Sequence, residues 1–143
     1  MARRVGSVRQ VACASPGYLA AHGTPQTPDD LAGQDCISFD ELLARDLWTF
    51  GRGETPIAVR SRLIVSNPEA ARDAAQAGVG IAMVFSLLVA EALAAGALVT
   101  ILDEYRPPAL PVHLVYVAGQ YLPIKVRAFL DFATPRLKAR LEE

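Results

Sequence analysis

The sequence is poor in the residues from which catalytic and metal sites are usually built. Its 143 residues hold two histidines, His22 and His113. His22 sits beside Gly23 in a loop and His113 inside an apolar run. Neither has a Ser, Cys or carboxylate partner at a fixed offset, so a nucleophilic triad has no place here. The two cysteines, Cys13 and Cys36, form no CxxC and no Cys/His spacing that would hold zinc. Each lies in an apolar, strand-like run, where a thiol acts as a small buried hydrophobe in preference to half of a redox pair. HExxH, GxGxxG and the Walker lysine loop are absent. Gly78-Val79-Gly80 lacks a third glycine and follows a helical pattern, so it reads as a helix stop. Asp40, Glu41, Asp103 and Glu104 are scattered in loops and make no acid/base pair. An enzyme is not expected, and no metal or cofactor is implied.

Charge of one sign and long hydrophobic runs are lacking too. Fourteen basic residues face fifteen acidic ones, and a net charge of −1 gives no electrostatic case for binding nucleic acid. Arg3, Arg4 and Arg9 read as a solvated strand edge or end. No apolar run approaches the roughly 18 residues of a membrane span; the longest, 79–90, is broken by Gly80 and Ser86. With two thiols and no signal peptide, the expected compartment is the cytoplasm.

What is present is an apolar, globular composition, 52% hydrophobic against 20% charged. The length suits one domain or two small lobes. Residues 9–14 read as a strand, followed by the turn Ser15-Pro16-Gly17 and a short helix over 18–22. Thr27, Pro28, Asp29 and Asp30 open a helical turn that Gly33 ends. Strands follow at 36–39 and 47–50, with a hairpin turn over 51–54. Ile57, Val59, Ser61, Leu63 and Val65 alternate with their neighbours and predict one strand with a buried face.

The clearest element comes next. Asn67 (or Ser66) caps, Pro68 fits the first helical position, the body is alanine-rich and Gly78 ends the helix. A buried strand over 80–85, a helix over 86–95 stopped by Gly96, and strands at 98–102 and 111–117 complete the middle. The last helix spans 123–141, with Val126, Phe129, Leu130, Ala133, Leu137 and Leu141 on its inner side. Strands alternating with helices imply an α/β fold with a mixed, largely parallel sheet. The capped start at Ser66-Asn67 lies at the carboxyl end of a strand, where helix N–H groups suit a carboxylate effector. Plain capping accounts for the same residues, and on spacing alone it is the favoured account.

The order of segments then resembles one family. Val11-Ala12-Cys13-Ala14-Ser15-Pro16-Gly17-Tyr18-Leu19-Ala20, Gly23-Thr24-Pro25 and Asp30-Leu31-Ala32-Gly33 are similar to a stretch of LysR-type transcriptional regulators. Trp48-x-Phe50, Glu69-Ala70, Gly78-x-Gly80-Ile81-Ala82 and Leu88-Val89-Ala90-Glu91 follow at the family's places. Pro111-Val112-His113 and Lys125 through Phe132 close the match, which covers nearly the whole chain. The resemblance implies a type 2 periplasmic-binding-protein-like fold, two α/β lobes joined by crossing strands. Those crossings fall near residues 12–15 and 82–84, giving a distal lobe over 16–82 and a proximal lobe over 1–15 and 83–143. It further implies a small-molecule effector, contacted by Ser15, Ser66, Asn67, Met83, Val84 and Phe85, and a homo-oligomer that touches no membrane.

Two departures stand out. Phe85 replaces a common proline, and the chain begins deep inside the usual domain. The proximal lobe is therefore expected to be incomplete, with DNA contacted only through a winged helix-turn-helix absent from these residues. Exposed apolar surface would then favour self-association or need the rest of a longer protein. A periplasmic-type solute-binding protein and a non-functional truncated paralogue are the alternatives.

Overall fold

The computed structural model describes residues 1–39, 46–51 and 56–141. Asp40, Glu41 and all but Gly51 of the expected 51–54 turn lie outside the described residues. In chain order the strands and helices are β1 (Ala2–Val8), β2 (Gln10–Ala14), α1 (Pro16–His22), β3 (Asp35–Phe39), β4 (Leu47–Trp48), β5 (Ile57–Ala58), β6 (Arg60–Val65), α2 (Pro68–Gln76), β7 (Ile81–Phe85), α3 (Ser86–Ala94), β8 (Val99–Ile101), β9 (Leu110–Val115) and α4 (Ile124–Leu141). Short 3-10 helices occupy Pro28–Gly33 and Asp103–Tyr105. The chain divides into two compact units: Met1–Val8 with Ala109–Glu143, and Arg9–Pro108.

The larger unit is built on a five-stranded sheet ordered β6-β3-β7-β2-β8. β3 runs parallel to both neighbours, whereas β2 runs against β7 and β8, so the sheet is mixed in equal parts. Alternation sends Ala12, Cys36, Ile81 and Met83 to one face, with Tyr18, Leu31 and Trp48. Val11, Cys13, Ile37, Ala82 and Val84 go to the other, against Ala71 and Ala75 of α2 and Val89 and Ala92 of α3. Both faces are covered, which is why these strands read as apolar runs.

The single strand expected over 57–65 breaks at Val59. Its N–H bonds to the Asp46 carbonyl, so β5 turns to β4 while β6 joins β3. Gly78 ends α2 with φ 83°, and a Cβ on Gly80 would strike the Asp35 carbonyl. The two glycines are thus a helix stop and a close strand approach, with no role as a phosphate loop.

The expected lobe limits do not coincide with these units. β7 spans the 82/83 limit, and β8 hydrogen-bonds to β2, so residues up to Pro108 stay with the one sheet.

In the smaller unit β1 pairs antiparallel with β9, from Ala2 opposite Val115 to Val8 opposite Leu110. The register shifts between Arg4 and Gly6, a bulge at Val5. α4 packs on β1, burying Val5, Leu130 and Ala133. A Cβ on Gly6 would lie 2.7 Å from Leu141 Cβ, so the absent side chain lets the end of α4 close on the strand. β1 was not anticipated from the sequence. Phe129, expected on the inner side of α4, is exposed, and so is His113 in β9.

Candidate functional site

Strand registers locate each candidate residue along the sheet of the larger unit. Ile37 pairs with Leu63 and with Ala82, and Ala82 pairs with Cys13. From that row Asn67 lies four residues further along β6 and its exit, and Phe85 three residues further along β7. Ser15 lies two residues the other way, because β2 is antiparallel. Four plus two residues at ~3.3 Å each separate Asn67 from Ser15 by about 20 Å along the strands.

Ser66, Asn67 and Phe85 therefore share the carboxyl edge of β3, β6 and β7, and Ser15 belongs to the opposite edge. Ser15 is buried, and its Oγ accepts the Tyr18 N–H at 3.1 Å, capping α1. It sits beside Gly78, at the far end of α2 from Asn67. Met83 and Val84 are also buried, one in each face of the sheet, as core. Three of the six expected contacts thus come together and three do not.

At the carboxyl edge Asn67 has extended backbone, φ −152° and ψ 161°, and its Oδ1 accepts the Ala70 N–H at 2.8 Å. Pro68 has no N–H, and the Ala71 N–H goes to the Asn67 carbonyl at 3.3 Å. The Glu69 N–H is left as the first donor outside the cap. Ser66 and Asn67 are both exposed. α3 starts at the same edge, its Ser86 N–H donating to the Arg9 carbonyl at 2.9 Å. Two helix amino-termini thus raise the potential there.

Sequence reasoning missed two further residues of this edge. Arg9 is exposed just before β2, three strand spacings, about 14 Å, from β6. Asp103 follows β8 after Leu102, whose φ of 55° turns the chain; it accepts Thr100 Oγ1 at 3.1 Å and Arg106 at 3.0 Å. Their signal is positional: each stands just outside a strand end at this edge.

The opposite edge is tied up by its own charges. Asp35 binds Arg60 at 2.6 Å and Arg62 at 3.0 Å, and the Arg60 hydrogen bond leads in holding its carboxyl below the usual range. Tyr18 OH donates to Gln34 Oε1 at 2.7 Å and accepts the Asp35 N–H at 3.0 Å. Cys13 and Cys36 lie on opposite faces, and burial pushes each thiol up to about 12. Among the described residues no group of three or more His, Cys, Asp or Glu is placed to hold a metal. A cavity of about 240 Å³ lies between residues 24–26 and 100–105, and none of the six expected contacts lines it.

The fold is that of regulatory domains with a periplasmic-binding-protein-like architecture. The regulatory domain of CrgA from Neisseria meningitidis superposes with a TM-score of 0.82 at 31% identity, covering 99% of this chain and 69% of that one. The regulatory domain of AphB from Vibrio vulnificus gives 0.80 at 30% identity, covering 95% and 68%. The chain belongs to the LysR substrate binding domain family, which it matches over residues 1–138.

Among curated relatives, the HTH-type transcriptional regulator PtxR of Pseudomonas aeruginosa is 34% identical over 132 residues, 91% of this chain and 42% of PtxR. CrgA of Neisseria meningitidis serogroup C is 33% identical over 138 residues, 95% and 46%. The chain therefore spans less than half the length of these regulators. No helix among the described residues is long and apolar enough to cross a membrane.

Proposed function

We propose that this chain is the effector-sensing part of a LysR-type transcriptional regulator, and that its ligand is a small carboxylate held at the carboxyl edge of β3, β6 and β7. Ser66, Asn67 and the Glu69 N–H hold the carboxylate, and Phe85 meets the body of the ligand. The observation that carries this reading is the exposed, capped amino-terminus of α2 at a strand-end edge, in a chain of this family. β7 is two strand spacings, about 10 Å, from β6, which suits a carboxylate with a body about the size of one aromatic ring.

The units Arg9–Pro108 and Met1–Val8 with Ala109–Glu143 are the chain's shares of the distal and proximal lobes. DNA is contacted by a domain outside these 143 residues, and ligand binding acts on it by shifting a conformational equilibrium within a cytoplasmic homo-oligomer. No acid/base or nucleophilic chemistry is required of the chain.

Calorimetric titration of benzoate and short aliphatic carboxylates into the chain tests the site. Ser66→Ala and Asn67→Ala should each weaken the best ligand about tenfold, the loss of one charge-assisted hydrogen bond. Ser15→Ala should leave the affinity unchanged. The site is wrong if Ser66→Ala and Asn67→Ala bind as the native chain does, or if Ser15→Ala alone weakens binding.

A further inference from the structure

We draw no further inference here: the strongest candidate, the cavity of about 240 Å³ between residues 24–26 and 100–105 of the larger unit, has only Asp103 and Glu104 as charged groups in its wall, Asp103 is already tied to Thr100 and Arg106, and no second feature of the described residues points to a ligand there.

Discussion

The larger unit closes its own core on both faces of a sheet; the smaller one leaves several large apolar side chains in solvent. In Arg9–Pro108, Leu31, Ile37, Ile81 and Leu98 are fully buried between a five-stranded sheet, three helices and the 28–33 turn. In Met1–Val8 with Ala109–Glu143, Val5 and Leu130 are buried, but Val115, Val117, Phe129 and Phe132 are not. The contrast follows from strand number. A two-stranded sheet with one helix has too few layers to cover both of its faces. Within these residues, stability should therefore reside in the larger unit.

The sharpest way to break this comparison is to truncate one apolar side chain in each unit. Ile37→Ala removes a fully buried side chain and should cost about 2–5 kcal/mol. Phe129→Ala removes a larger but exposed side chain and should cost less than about 1 kcal/mol. Urea unfolding followed by Trp48 fluorescence measures the first cleanly, because Trp48 is the only tryptophan and lies in the core of the larger unit. Equal losses for the two variants would mean that the units do not differ as their burial implies.

A second, smaller effect separates two glycines. Gly80→Ala sets a Cβ against the Asp35 carbonyl, a backbone atom fixed by the β3–β7 pairing, and should cost about 1–3 kcal/mol in the Trp48 transition. Gly6→Ala sets a Cβ 2.7 Å from Leu141 Cβ, so the end of α4 must move off β1, a cost confined to the smaller unit. Its residual penalty is the left-handed φ of 154°, and Trp48 should register almost none of it. If Gly6→Ala moves the Trp48 midpoint as far as Gly80→Ala does, the two units unfold as one.

These glycines also mark how far local sequence reached. α2 was legible because Asn67, Pro68, the alanine run and Gly78 act within one helix, through capping, φ restriction and propensity. β1 was not, since Ala-Arg-Arg-Val-Gly becomes a strand by pairing with β9 more than a hundred residues away. The break at Val59 was hidden for the same reason: alternation runs straight through it, and only the bond to Asp46 ends one strand and starts the next. Of the proposed site, Ser66, Asn67 and Phe85 were legible as ends of elements. Ser15 was an end too, but local pattern carries no strand direction. The antiparallel run of β2 sends Ser15 to the edge opposite Asn67.

The smallest effect concerns the thiols, which occur only in the larger unit. Burial raises Cys13 and Cys36 from 9.0 to about 12, with the neighbouring Asp35 charge a lesser cause at Cys36. The native state holds the neutral thiol, while the unfolded chain ionises near 9.0. Their contribution to stability is thus fully present below pH 9 and is lost as the pH rises from there toward 12. At pH 10 this amounts to roughly 1 kcal/mol per thiol, set by one pH unit above the unfolded value. Tyr18 is raised from 10.0 by burial as well, so a chain with Cys13→Ala and Cys36→Ala is the reference that isolates the thiols. Between pH 8 and pH 10 the native Trp48 midpoint should fall further than that of the reference. Helix loss in α4, which has no cysteine near it, should follow the same course in both. Identical pH profiles at Trp48 would show that the two thiols are reached by water in the native state, and that the larger unit is less closed than its sheet implies.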